Sequence, residues 1–327
     1  MDRTTYMKYC MYCLKNKVRR RCNIIVNRFT DEEVFFKCRK YCGRRFMELN
    51  ETNDKIAAYI CSGNPFMVSR YGNTEMQMLF ADFSREAFHR GKDAKYCKEA
   101  LQLLYETAGF FPMDEKLGKK FVQYMLDISK LIDLLGIWGI YWEDFLCEQY
   151  AKNAKYTMLR NLEPYYVKNG KPWSNELKGK KVLVIHPFAE SIQRQYERRQ
   201  EIWGERSILP EFELQTVKAV QTMADQEDSR FRDWFEALDY MVEECKRREF
   251  DIALIGCGAY GMPLAAEIKR MGKGAIHLGG ALQILFGIKG NRWNKHPVIS
   301  GFYNDAWIRP IEQIPKGGER VENGCYW

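Results

Sequence analysis

Residues 251–278, DIALIGCGAYGMPLAAEIKRMGKGAIHL, decide the fold. Asp251 to Ile255 is a short apolar run with β-branched residues, long enough for a core strand and too short for a helix. Glycines follow at 256, 258 and 261, then Met262 to Met271 carries helical spacing and stops at Gly272. Ala275 to Leu278 is a second apolar strand. Strand, helix and strand with near-continuous apolar strands predict a parallel sheet covered on both faces by helices, an α/β fold. Working outward, Lys181 to Ile185 is another such strand, followed by His186-Pro187-Phe188 and a helix to about Trp203. Residues 232–249 have the amphipathic spacing of a helix. Phe66 to Ser69 is a strand ending at Arg70-Tyr71-Gly72, after which Asn73 caps a helix. Residues 93–135 read as two helices broken at Gly109 to Pro112, and Tyr141 to about Lys152 as a third helical stretch. The Pro-, Gly- and aromatic-rich residues 161–180 form the best internal connector.

The 327 residues carry a net charge of +8, and its placement matters more than its size. Residues 1–47 hold 13 Lys and Arg against 4 Asp and Glu, so the remainder is close to neutral. A neutral body argues against a nucleic-acid-binding fold. It also sets residues 1–50 apart as a basic, Cys- and Tyr-rich helical extension of a main domain spanning 51–327. Within that extension Thr30-Asp31-Glu32-Glu33 resembles a capping box opening a helix on which Cys38, Tyr41, Cys42 and Phe46 share the apolar side. Cys10, Cys13, Cys38 and Cys42 have the types for a zinc site, but helix packing already accounts for the second pair, so buried thiols are expected there rather than zinc. The cluster Arg19-Arg20-Arg21 is either a solvated charge run or a docking element for an anionic membrane or an acidic partner. Eleven cysteines without an apolar leader core point to reduced thiols and a cytoplasmic protein, peripheral on the inner membrane face if residues 1–47 dock there. The most apolar window, Leu131 to Trp142, contains Asp133 and is too short to span a bilayer.

Four strand ends collect the chemistry. Arg70-Tyr71-Gly72-Asn73-Thr74-Glu75 sets a cation and an acid at the start of a helix, where free N–H groups favour an anion. Glu75 there either serves the helix dipole or binds a divalent ion carrying a diphosphate. Gly256 to Gly261 fits G-x-G-x-x-G, with Gly258 and Tyr260 inside it, but the ribose-binding acid expected about 20 residues on is missing, since the next strand offers Ile276 and His277. A phosphate cradle is retained and NAD is not expected. His277, Gly279, Gly280 and Gln283 form a further glycine turn, with Lys289 and Arg292 beyond it to offset phosphate charge. His277 and His186 at their strand ends are read equally well as core hydrogen-bonders. The C-terminal Cys-Tyr-Trp is expected to fold back over the sheet, bringing Glu322 or Asp305 to the ligand as general base. No H-E-x-x-H, G-x-S-x-G or Walker A loop is present.

Taken together, these segments resemble a known family. Phe66 to Glu75 is similar to the strand-turn motif of the GT-D fold bacterial glycosyltransferases, usually Arg-Phe-Gly-Asp-Gly-Glu. Gly256 to Trp293, Trp307-x-Arg309-Pro310 and Val321 to Trp327 are similar to the C-terminal half of those proteins, in the same order, so the resemblance covers about residues 55–327. It implies a Rossmann-like, mostly parallel sheet with helices on both faces. It also implies sugar transfer from a nucleotide sugar, typically UDP-linked, to a hydroxyl of a glycan, lipid-linked or glycoprotein acceptor in polysaccharide assembly. The family's Asp-x-Glu pair, associated with the diphosphate and a divalent metal such as Mn or Mg, is here Asn73 and Glu75; one lost carboxylate weakens a site for a hard cation. The alternative expectation is a non-catalytic nucleotide-sugar-binding scaffold in which Asn73 marks a lost metal site.

Overall fold

The computed structural model describes residues 2–27, 40–41, 43–88, 91–140, 142–222, 228–314, 318 and 324–327. In chain order the elements begin with α1 (Arg3–Asn27), a small hairpin of β1 (Lys40–Tyr41) and β2 (Arg44–Arg45), and α2 (Leu49–Ser62). There follow β3 (Phe66–Arg70), α3 (Asn73–Phe88), α4 (Gly91–Ala108), α5 (Glu115–Ser129), β4 (Leu134–Ile137), α6 (Glu143–Gln149) and β5 (Lys155–Met158). After a run of 3-10 turns come β6 (Lys181–His186), α7 (Ala189–Glu197), α8 (Arg199–Trp203), β7 (Glu213–Lys218) and α9 (Trp234–Lys246). The last elements are β8 (Ile252–Ile255), α10 (Gly261–Arg270), β9 (Gly274–His277) and the short α11 (Leu282–Leu285).

Strands β3 to β9 form one seven-stranded sheet in the order β5-β4-β3-β9-β8-β6-β7, and every pairing in it is parallel. Alternation along each strand splits the core in two. Met67, Leu135, Leu183, Ile185 and Ala253 pack on one face against α3, α5, α9 and α10, whereas Val68, Leu134, Val182, Val184 and Leu254 pack on the other against α2, α7 and α8. Strands buried on both faces lose the polar half of the pattern, which is why 182–185 and 252–255 read as continuous apolar runs. The expected α/β fold with a parallel sheet and helices on both sides is therefore the one observed.

Three strands of the sheet were not expected. β4 occupies four residues inside the apolar stretch that follows α5, where its length and neighbours leave strand and helix indistinguishable. β5 and β7 are the outer strands of the sheet; the polar content of β7 (Glu213, Gln215) follows from having one side without a partner strand, whereas Thr157 of β5 is buried, its hydroxyl bonded to Thr52 and to the Met47 carbonyl. The expected helix through Tyr41 and Phe46 is corrected: Gly43, at φ +72°, turns residues 40–45 into the β1/β2 hairpin, with Tyr41 and Phe46 in T-shaped contact. The capping box at 30–33 and Cys38 and Cys42 lie outside the described residues. Residues 161–180 are packed rather than loose, with Tyr165, Trp173 and Leu177 all buried.

Candidate active site

Four neighbouring strands, β3, β9, β8 and β6, end at one cavity of about 300 Å³, open to solvent. Parallel sheets place ligands at such a position, beyond the carboxyl ends of the strands.

The β3 end supplies the charges. Arg70 leaves the strand with its guanidinium 4.7 Å from the Trp138 ring centre, and its Nε donates to the Tyr71 carbonyl. Trp138 Nε1 donates to the same carbonyl at 2.7 Å, so the ring and the cation are held on one backbone oxygen. α3 begins three residues later and turns Glu75 back over Gly72. A Cβ at Gly72 would lie 1.7 Å from Glu75 Oε2, so only glycine leaves room for the carboxyl there. Burial raises the Glu75 pKa, opposed by a hydrogen bond from its own backbone N–H and by Arg70. Burial in turn lowers the Arg70 pKa, with Glu75 and Tyr326 acting the other way. Asn73 and Thr74 line the same wall.

The glycine turns after β8 and β9 make space of the same kind. A Cβ at Gly279, whose φ is +63°, would sit 2.3 Å from Arg70 Nη1, and one at Gly280 would meet the Tyr326 ring at 2.3 Å. Gly261, at the start of α10, gives way to the His277 ring at 2.2 Å. Gly72, Gly279 and Gly280 therefore receive protein side chains as well as lining the cavity, whereas Gly261 receives only the His277 ring. Gly258, at φ +54°, and Tyr260 line it too, the latter ring stacked on Trp234 at 4.9 Å. His277 shares a hydrogen bond with Ser69 Oγ, and burial, with Arg70 beside it, holds its pKa well below the usual histidine range. His186 Nδ1 accepts the Phe188 N–H, and burial lowers its pKa to about 3. Both imidazoles are neutral near pH 7, and neither bears the charge that would balance a phosphate.

Gln283 is fully buried and faces the cavity. Its Nε2 donates to the carbonyls of Ile288 and Tyr326, which fixes the amide orientation and leaves Oε1 without a protein partner. The chain end folds back as expected: Trp327 packs edge-on to Phe188, the Arg292 N–H donates to the Cys325 carbonyl, and Tyr326 lines the cavity with the Arg292 guanidinium 4.8 Å from its ring.

The structure thus brings Arg70, Gly72, Asn73 and Glu75 together with Gly258, Tyr260, His277, Gly279, Gly280, Gln283 and Arg292. It does not bring Asp305 or Lys289. Asp305 is exposed and outside the cavity wall, because the turn at Asn304 to Trp307 points its buried side, Ala306 and Trp307, toward α8 instead. Lys289 lies 5.3 Å over the Tyr303 ring. Glu322 lies outside the described residues. Sequence reasoning did not anticipate Trp138, Gln77, Thr107 or Thr222 on the wall. Recognising β4 would have flagged Trp138, since it stands one residue past a strand end.

Among the described residues no three His, Cys, Asp or Glu side chains cluster as a metal site. Glu75 would offer a divalent cation one carboxylate, already folded onto its own helix, and Asn73 at most a carbonyl. Among the described residues this donor set does not fit a resident divalent ion.

No protein-family model matches the chain, and neither does any curated protein. Two solved structures are similar to it at 13% identity, each comparison covering 82% of this chain and 91% of the other. One is described as the highly conserved domain of unknown function 1792 with a distinct glycosyltransferase fold, at a TM-score of 0.42. The other is a selenomethionine-substituted form of domain of unknown function 1792, at 0.40. Likeness of that degree assigns this chain no activity.

Proposed function

We propose that the protein is a glycosyltransferase that moves a sugar from a nucleotide diphosphate donor, UDP-linked by the resemblance above, to a hydroxyl of a glycan, lipid-linked or glycoprotein acceptor. The observation that carries this reading is the convergence of four separated segments on one cavity. Two guanidiniums, Arg70 and Arg292, and the first turn of α3 stand there against a single described carboxylate, Glu75. An excess of fixed positive charge at a helix N-terminus suits a diphosphate. The Gln283 Oε1 is a buried acceptor for an N–H or O–H of the bound nucleotide or sugar.

In this mechanism the acceptor oxygen attacks the anomeric carbon, the bond from that carbon to the diphosphate oxygen breaks, and the diphosphate departs with the electron pair. Arg70 and Arg292 stabilise the departing charge, which should be the largest catalytic contribution. Glu75 takes the proton of the acceptor hydroxyl. A carboxyl whose pKa is raised by burial is a better base near neutrality than an exposed one. The base expected at Glu322 or Asp305 is here assigned to Glu75, the carboxylate that the described part of the cavity holds; Asp305 lies outside the cavity wall, and Glu322 lies outside the described residues.

A thermal-shift panel of UDP-, GDP-, CMP- and dTDP-sugars, followed by donor hydrolysis and transfer assays, tests the reading. A matching donor should raise the melting temperature, and Glu75→Gln should keep that shift while turnover falls by on the order of 10²- to 10⁴-fold. Binding without turnover on any donor would support the scaffold reading instead. No stabilisation by any nucleotide sugar would remove both.

A further inference from the structure

We infer that the outer face of α1 docks the protein onto an anionic membrane surface. This goes beyond the transferase reading and does not rest on it.

α1 has two opposite faces of different character. Its inner face is part of the core: Tyr9 packs edge-on to Phe145 at 5.3 Å and its hydroxyl shares a hydrogen bond with Ser84 Oγ, while Tyr12 and Asn16 are also buried. The body clamps this face with carboxylates from α6. Lys15 pairs with Asp144 at 3.0 Å, Lys8 with Glu148 at 3.6 Å, and Tyr12 donates to Glu148. The helix is therefore fixed in orientation, and its opposite side is fixed toward solvent. That side carries Met7, Met11, Leu14 and Val18, spaced four, three and four residues apart, at relative exposures of 64, 60, 66 and 55%. Exposure of one such residue is ordinary, whereas a line of four along one helix face is the stripe by which helices bury against something.

The charge around the stripe selects what that is. α1 contains Arg3, Lys8, Lys15, Lys17, Arg19, Arg20 and Arg21 and no Asp or Glu. Turned at 100° per residue, Arg3, Lys17 and Arg21 flank the stripe on one side, and Lys15, already paired with Asp144, borders the other. An apolar stripe bordered by cations lies in the headgroup region of a bilayer, with methionine and leucine side chains in the acyl boundary and the basic residues on anionic lipids. A second copy of the chain fits poorly, because pairing two such stripes would set Lys and Arg against Lys and Arg at the flanking positions. No helix of the described residues is long and apolar enough to cross a membrane, so this contact lies on the surface.

Flotation of the full chain with vesicles tests the assignment. Wild type should float with phosphatidylcholine vesicles containing about three parts in ten phosphatidylglycerol on the order of tenfold more than with phosphatidylcholine alone, and less as salt rises. Met11→Glu combined with Leu14→Glu should lower flotation on the order of tenfold while circular dichroism and melting temperature stay at wild type, since both side chains point away from the fold. Lys17→Gln should lower it about fivefold by charge loss alone. Equal flotation with both vesicle types, or wild-type flotation by the Met11/Leu14 variant, would overturn the proposal. So would a concentration-dependent dimer in sedimentation equilibrium that this variant dissolves, which would assign the stripe to a second copy.

Discussion

Gly72→Ala separates the positioning of Glu75 from the stability of the fold. Gly72 does not adopt the left-handed backbone, so an alanine is conformationally acceptable there. The three atoms nearest the added methyl all belong to the Glu75 carboxyl, with Oε2 at 1.7 Å, Cδ at 2.1 Å and Oε1 at 2.3 Å. Ordinary contact is about 3.5 Å or more, so the carboxyl must withdraw by nearly 2 Å. A flexible side chain can do this at little cost. The lost hydrogen bond to the Glu75 N–H removes about 1 kcal/mol, and the reduced freedom of the unfolded chain returns about 0.4–1 kcal/mol. Denaturant unfolding should therefore give a stability within about 1 kcal/mol of wild type. Donor turnover should fall by on the order of 10²-fold, because a base displaced by more than an ångström no longer reaches the acceptor proton. The comparison is Glu75→Gln, which removes the base without moving it. Wild-type turnover in Gly72→Ala would refute the placement of Glu75 in the reaction. A stability loss beyond about 2 kcal/mol would refute the claim that the carboxyl alone receives the methyl.

Acid unfolding should show His186 directly. Its folded pKa is about 3 against 6.5 unfolded, so between those values the unfolded chain binds the extra proton, and stability present above pH 6.5 is lost as pH falls. That is on the order of 2 kcal/mol between pH 6.5 and 5, and His186→Asn, whose carbonyl can accept the Phe188 N–H, should flatten that limb of a urea-midpoint profile. Glu143, raised to about 7 by burial, works in the opposite sense, its contribution being complete below about 4.5 and lost as pH rises toward 7, so Glu143→Gln should steepen the decline toward acid. Calorimetric titration of UDP should give the same affinity within about twofold with manganese or with chelator; a gain beyond tenfold with manganese would mean that a cation site forms with groups beyond Asn73 and Glu75. Tyr9→Ala should cost about 3–5 kcal/mol in urea unfolding, since it empties a site between Phe83 and Phe145. A loss under 1 kcal/mol would mean that α1 is not part of the cooperative fold.

The central strands were legible because burial on both faces removes polar residues from them, and the strand ends were legible because glycines and charges interrupt those runs at Arg70, Gly256 and His277. The outer strands β5 and β7 were not: the partly exposed β7 has a composition that resembles a loop, and β5 is four residues long with a buried threonine whose polar partners lie far off in sequence. What the glycines do was only partly legible. A glycine beside a strand end signals close approach, but not whether phosphate or a side chain approaches, and here Arg70, Glu75, His277 and Tyr326 fill the space. Asp305 failed because sequence distance from the cavity-lining Tyr326 says nothing about which way a turn faces. The α1 stripe was hidden for a related reason: Tyr9, Tyr12, Met7 and Met11 interleave, so residues 6–14 carry apolar side chains on nearly every side until packing decides which side is covered.

β3 and β9 lie side by side in the middle of the sheet, in register from Phe66 opposite Gly274 to Val68 opposite Ile276, and Ser69 meets His277 across 208 positions of chain. During synthesis β3, β4 and β5 can associate early, but the inner edge of β3 has no neighbour until β9 leaves the ribosome. At about 5–20 residues per second that wait is on the order of 10–40 s. Through it a buried-type strand edge, apolar on both faces, stands open to other chains. Nascent protein stalled before residue 274 would therefore be a chaperone client, and the two halves of the cavity become one only in the final stage of folding.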